Sequence, residues 1–78
     1  MDEITTVGLD LAKRVVSLCA ENTAGRVVLQ RSLRRETVLG WFAQRPPCLV
    51  GMEACATAHF WAREIGKLGH EVRWMRPS

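Results

Sequence analysis

Two short blocks of the sequence each place an acidic residue two positions after a glycine. The first runs from Gly8 to Asp10 and the second from Gly51 to Glu53. Two carboxylates brought close together repel each other and are costly to bury unless a cation lies between them. Mg²⁺ prefers oxygen ligands and usually takes one or two carboxylates together with phosphate oxygens. Asp10 and Glu53 are therefore candidate metal ligands and catalytic residues of a phosphoryl-transfer centre, with Mg²⁺ or Mn²⁺ as its cofactor.

Both acidic residues lie at or near the ends of apolar runs, residues 4–11 and 48–52, that alternate as strands do. The alternate positions that would face a core are Val7, Leu9, Leu11, Cys48, Val50 and Met52. A period of two then leaves Asp10 and Glu53 on the face of each strand that points away from the core. If the two strands are parallel neighbours, the carboxylates lie about one strand spacing apart, ~5 Å.

The other elements follow from similar patterns. Apolar runs at residues 14–20 and 26–32 flank a polar segment that contains Asn22 and Gly25, which predicts a hairpin. A helix is predicted over residues 35–44, because apolar residues recur on one helical face and Pro46 follows. A second helix is predicted from about residue 57, with an apolar stripe formed by Ala58, Trp61, Ile65 and Leu68. A last strand is predicted over residues 71–75.

The predicted order of elements is βββαβαβ, without an internal repeat or a linker. We expect an α/β protein of the ribonuclease-H-like class, with a five-stranded mixed sheet, two helices and the first strand central beside the fourth. Seventy-eight residues are enough for a single domain, residues 1–78, and leave no room for a second.

Charge and composition permit an anionic partner and argue against a membrane protein. Eleven Lys and Arg against eight Asp and Glu give a net charge of +3. Candidate nucleic-acid contacts are Lys13, Arg14, Arg34 and Arg35, although a solvated face would explain the same charges. No apolar run approaches the roughly 20 residues that span a bilayer, and the start of the chain is acidic, unlike a signal peptide. We therefore expect a cytoplasmic protein.

Several blocks together resemble one family. Residues 7–13 (VGLDLAK) and 46–55 (PPCLVGMEAC) resemble the DEDD transposases of the insertion-sequence one-ten family, relatives of the Piv-type DNA invertases. Residues 58–63, 68–72 and 76–77 extend the match. The resemblance implies a RuvC-like domain with an Asp, Glu, Asp, Asp tetrad that binds Mg²⁺, in which Asp10 matches the first acid and Glu53 the second.

The resemblance also implies a function and partners. These are Mg²⁺-dependent DNA strand cleavage and transfer in transposition, with DNA and, in the full-length protein, a structured guide RNA as partners. The later two aspartates and a serine-bearing domain would come after this segment. We therefore expect the chain to be the truncated amino-terminal part of such an enzyme and to be inactive alone.

Two other functions fit the same residues. A RuvC-like nuclease would cut nucleic acid with an activated water, and a non-catalytic nucleic-acid-binding or assembly module would do no chemistry. An actin-like ATPase is disfavoured, because Asp10 is not followed by the glycine that its phosphate loop needs. We also expect either Trp41 or Trp74 to be partly exposed. An exposed tryptophan could stack on a nucleic-acid base or cover a subunit interface, and we favour the interface and hence a homo-oligomer.

Overall fold

The strands and helices occur in the predicted order in the computed structural model, which describes residues 3–11, 14–53 and 55–75. The five strands are β1 (Ile4–Asp10), β2 (Val16–Asn22), β3 (Val27–Leu33), β4 (Leu49–Glu53) and β5 (Glu71–Met75). The two helices are α1 (Arg35–Ala43) and α2 (Ala58–Lys67). Within the described ranges neither helix is long and apolar enough to cross a membrane.

The strands form one mixed sheet in the order β3-β2-β1-β4-β5. The three amino-terminal strands pair antiparallel, as a meander does, whereas β4 pairs parallel with both β1 and β5. β1 is therefore central and lies beside β4, as the sequence predicted. The prediction of an α/β, ribonuclease-H-like arrangement is confirmed.

One face of the sheet and both helices form the hydrophobic core. The buried strand residues that share this face are Val7, Leu9, Val16, Leu18, Ala20, Val50 and Met52. They pack in one cluster with buried helix residues, namely Val38, Trp41, Phe42, Ala58, Trp61 and Ile65. Each large apolar side chain removed from water contributes about 1.5–3 kcal/mol, so this face fixes which side of every strand points inward.

The hairpin between β2 and β3 is shifted from its predicted position. β2 begins at Val16 and continues to Asn22, two residues later at each end than the pattern indicated. The Asn22 side-chain oxygen accepts hydrogen bonds from the backbone N–H groups of Ala24 and Arg26, at 2.9 and 3.0 Å. This Asx-type turn, completed by Gly25 at φ 79°, lets the strand run further before the chain reverses.

The apolar stripe predicted for α2 is one residue too long. Ala58, Trp61 and Ile65 are buried, but Leu68 lies beyond the last helical residue and is 39% exposed. Gly69 follows at φ 98°, a left-handed conformation that ends the helix and turns the chain towards β5. The prediction for Leu68 was wrong because the helix stops before that residue completes the next turn.

His70 is a buried residue that links the end of α1 to the starts of β4 and β5. Its ring is 95% buried, and its Nε2 donates to the carbonyl oxygen of Phe42 at 2.8 Å, near the end of α1. The ring Nδ1 accepts a hydrogen bond from the backbone N–H of Cys48 at 3.1 Å, just before β4. A carbonyl oxygen only accepts and a backbone N–H only donates, so the ring carries its proton on Nε2 and none on Nδ1.

Candidate functional site

The face of the sheet opposite the helices carries the two candidate carboxylates. We call it the open face and define it by Gly8, Asp10, Ser17, Cys19, Gln30, Ser32, Gly51, Glu53 and Met75, which the strand register places on one side. Among the described residues, α1 and α2 pack against the other side. The open face is therefore where side chains of the central strands can meet a ligand.

Asp10 and Glu53 lie side by side at the carboxyl ends of the two parallel central strands. The last paired positions of β1 and β4 are Leu9 and Met52, and each acid is the next residue along its strand. Both side chains are exposed. Adjacent strands are about 5 Å apart, so the arrangement has the proximity that the alternation of the sequence predicted.

A cavity of about 710 Å³ lies over this end of the open face. Asp10 and Glu53 both line it, and Gly8 contributes to the same wall. The structure thus brings the two predicted acids into one concave site. A cavity of this volume is in the range typical of ligand sites, which are about 300–1,000 Å³.

The donor set at this site fits Mg²⁺ or Mn²⁺. Two carboxylates with solvent access match the usual coordination of Mg²⁺, which keeps several waters and takes its remaining ligands from substrate phosphates. Within the described ranges, no group of three or more Asp, Glu, His or Cys side chains is placed to hold a metal. Asp10 and Glu53 would therefore supply the protein's share of the ligands, and the other positions would be open to water and phosphate.

The predicted basic residues approach the same end of the sheet. Arg14 precedes β2, whose Ser17 pairs with Asp10, and Arg34 and Arg35 follow β3 at the end where Leu33 pairs with Val16. All three arginines are exposed. The topology therefore places these three residues at the end of the sheet that carries Asp10 and Glu53, although none of them lines the cavity, to which Arg31 contributes. Lys13, the fourth predicted contact, lies outside the described residues.

Sequence reasoning missed the neutral polar lining of the cavity. Ser17, Gln30 and Ser32 line it together with the two acids. Ser17 is the cross-strand partner of both Asp10 and Ser32, so hydroxyl groups extend from the carboxylates across three strands. The signal was present in β2, where buried residues alternate with Ser17 and Cys19. Assigning both faces of β2 would have found Ser17, whereas Gln30 and Ser32 lie on β3, whose burial does not alternate.

Two acidic residues later in the chain, Glu64 and Glu71, lie away from this site. Glu64 is in α2 and pairs with Lys67 at 3.1 Å. Glu71 begins β5 and forms an ion pair with Arg73 at 2.6 Å. The cross-strand partner of Glu53 is Met75, at the other end of β5. Neither carboxylate can therefore join Asp10 and Glu53 at this site.

Cys48 is the buried thiol of the three cysteines and is not a candidate nucleophile. Burial raises the pKa of the Cys48 thiol above its ordinary value of 9.0, and the positive charge of Arg45 opposes that rise only in part. The residue therefore stays protonated at neutral pH, and a thiol must lose its proton to attack. Cys48 serves as a small apolar residue beside His70.

The predicted exposed tryptophan is Trp74, which is 47% exposed on the edge strand β5. Its ring contacts His59 of α2 edge to face, with 5.2 Å between ring centroids. Trp41 is 91% buried and belongs to the core. Trp74 is thus the described tryptophan available to a partner, and the predicted homo-oligomer stays a prediction.

Known proteins similar to this chain are transposases by name. The chain is 49% identical over 75 residues, 96% of its length, to a Pseudomonas aeruginosa protein named "Probable family 20 transposase". It is 38% identical over all 78 residues to the transposase for insertion sequence element IS1328 of Yersinia enterocolitica. It is 31% identical over all 78 residues to the transposase for insertion sequence element IS1111A of Coxiella burnetii.

These similarities cover 96–100% of this chain and a small part of each relative. The chain spans 21–23% of the length of the three relatives. No family model matches the sequence, and no solved structure matches it either. The chain is therefore homologous to a segment of proteins that are named transposases of insertion sequences.

Proposed function

We propose that the chain is a metal-binding segment of a DNA transposase, in which Asp10 and Glu53 hold Mg²⁺ for DNA strand cleavage and transfer. The observation that carries the proposal is the position of the two carboxylates, side by side at the ends of β1 and β4 and in one cavity. The names of the homologous proteins support transposition as the process. The parent enzyme would be a recombinase of the DEDD type with a RuvC-like domain.

The chain's own residues would act by binding and orienting. Asp10 and Glu53 would hold the cation, which would offset the repulsion of two neighbouring carboxylates. Bound there, Mg²⁺ would polarise a DNA phosphate and neutralise the charge that develops on it. Arg14, Arg34 and Arg35 would hold flanking phosphates through charge-assisted hydrogen bonds, which position a DNA strand without reading its sequence.

Two carboxylates are half of the tetrad that the family resemblance implies. In the part of the chain that the structure describes, the cavity is lined by no acids besides Asp10 and Glu53. We therefore propose that these 78 residues bind metal and DNA but do not cleave or join DNA by themselves. Cleavage that is lost in Asp10→Asn would contradict this.

A Mn²⁺ titration followed by NMR tests the metal site. Paramagnetic Mn²⁺ broadens the amide signals of nearby residues, so we expect selective broadening at residues 8–11 and 51–53. Asp10→Asn and Glu53→Gln should each weaken the effect, because a neutral amide replaces an anionic ligand. Displacement of Mn²⁺ by excess Mg²⁺ should restore the signals.

Glu71→Gln is the matched control. It removes one carboxylate from β5 at the opposite end of the sheet, so the broadening at residues 8–11 and 51–53 should be unchanged. Broadening that is uniform, absent or insensitive to Asp10→Asn would overturn the metal-dependent function. It would leave the non-catalytic nucleic-acid-binding module as the better description of the chain.

A further inference from the structure

Gly8 is a glycine that its own fold does not require. It lies in the middle of β1, where glycine weakens a strand because it adds backbone entropy and no packing. Its φ is not positive, since the positive-φ glycines are Gly25 and Gly69 in the described part of the chain. A methyl group at Gly8 would meet only the carbonyl oxygen of Cys19, at 4.0 Å, which is an ordinary contact.

Gly51, in the same sheet, differs from Gly8 in what lies above it. It is the cross-strand partner of Gly8 on the open face. A methyl group at Gly51 would lie 2.8 Å from Sδ and 3.1 Å from Cγ of Met75, so the Met75 side chain occupies the space above it. The space above Gly8 has no such neighbour among the described residues.

The space above Gly8 belongs to the cavity that holds the carboxylates. Gly8 lines this cavity together with Ser17, Gln30 and Ser32. Cross-strand partners form two rows across β1, β2 and β3. One row consists of Gly8, Cys19 and Gln30, and the other of Asp10, Ser17 and Ser32. These two rows form a strip of mostly small and polar side chains that crosses three strands and ends at Asp10, and Arg31 and Met75 also line the cavity.

The chemistry of this strip suits the sugar–phosphate backbone of a nucleic acid. Serine hydroxyls and the Gln30 amide donate hydrogen bonds to phosphate and sugar oxygens. The three exposed arginines at the same end, Arg14, Arg34 and Arg35, add positive charge that complements a polyanion. An apolar protein segment would instead leave the hydroxyl and amide groups of the strip without partners.

We propose that a DNA strand lies across the open face and makes its closest approach to the sheet at Gly8. Ser17, Gln30 and Ser32 contact its backbone with or without metal, and the missing side chain at Gly8 lets one phosphate come close enough to share a cation held by Asp10 and Glu53. The proposal rests on the proposed function and assigns Gly8 as a positioning residue for the substrate of that site.

The test compares DNA binding by the wild-type chain, Gly8→Ala and Gln30→Ala. Binding of a fluorescein-labelled single-stranded oligodeoxynucleotide is measured by anisotropy in EDTA, so that no metal is needed. We expect Gly8→Ala to weaken binding on the order of tenfold, and Gln30→Ala to weaken it by a few-fold. Gly66→Ala adds the same methyl group on the exposed surface of α2 and should bind like the wild type.

Urea unfolding of the same variants separates binding from folding. Gly8→Ala should unfold at the same or a higher urea concentration than the wild type, since a strand interior favours alanine over glycine. Unfolding of Gly8→Ala at a lower urea concentration than the wild type would mean that other atoms of the protein occupy the space above Gly8, which contradicts the proposal. Unchanged DNA affinity in Gly8→Ala, or no DNA binding by the wild type, would contradict it as well.

The outcomes also distinguish this proposal from the metal site. If Mn²⁺ causes no selective broadening but Gly8→Ala still weakens DNA binding in EDTA, the metal-dependent function fails and the DNA contact stands. If Mn²⁺ binds but Gly8→Ala leaves DNA binding unchanged, the contact fails alone. Dissociation of an oligomer by Gly8→Ala, with DNA affinity unchanged, would assign the strip to a second copy of the chain and overturn the proposal.

Discussion

At the scale of single residues, the most constrained polar side chain is His70. Both of its ring nitrogens are used, one by the Phe42 carbonyl oxygen and the other by the Cys48 N–H. His70 directly precedes β5, so it lies at the end of the sheet opposite Glu53. It therefore holds the core together and is not placed to act as a general base beside the carboxylates.

His70→Phe tests this structural role. Phenylalanine keeps an aromatic ring but leaves two buried backbone groups unpaired, each at a cost of about 1–3 kcal/mol. We expect the free energy of unfolding in urea to fall by the sum of these costs. His59→Phe is the control, because His59 is exposed and its change should stay within about 0.5 kcal/mol. Equal losses in the two variants would contradict the assignment.

At the scale of elements, the ends of helices and strands decide which residues reach the site. α2 stops at Lys67 because Gly69 takes a left-handed conformation, and the chain then enters β5 parallel to β4. This geometry sends Glu71 to one end of the sheet and Met75 to the end that carries Glu53. The turn at Gly69 therefore fixes how β5 borders the site.

Two glycines near the end of α2 should respond to alanine in opposite directions. Gly69→Ala places a side chain at φ 98° and should cost about 1 kcal/mol or more. Gly66→Ala lies within the helix with open space around it and should stabilise the protein by about 0.5–1 kcal/mol. Urea unfolding of both variants checks the signs. A stabilising Gly69→Ala would contradict the helix ending described here.

Much of the architecture was predictable from alternation alone. The faces of β1 and β4, and thus the shared side of Asp10 and Glu53, follow from the spacing of buried residues. The role of His70 was not predictable, because its partners are 22 and 28 positions away in the chain. The extent of β2 was missed because the Asn22 side chain forms the turn, which hydrophobic periodicity does not register.

At the scale of the whole molecule, one face of the sheet forms the hydrophobic core and the other carries the candidate site. The helix-covered face supplies the core, and the open face presents the carboxylates, the polar strip and the cavity. The open face is also the side on which we propose that a DNA strand lies. The predicted guide RNA and homo-oligomer stay predictions.

The most direct measurement is an anomalous difference map from crystals of the chain soaked in Mn²⁺. We predict a peak over the open face at coordination distance, about 2 Å, from carboxylate oxygens of both Asp10 and Glu53. Crystals of Asp10→Asn should lose this peak. A map without a peak at this end of the sheet, or with a peak that only one of the two carboxylates contacts, would contradict the shared metal site.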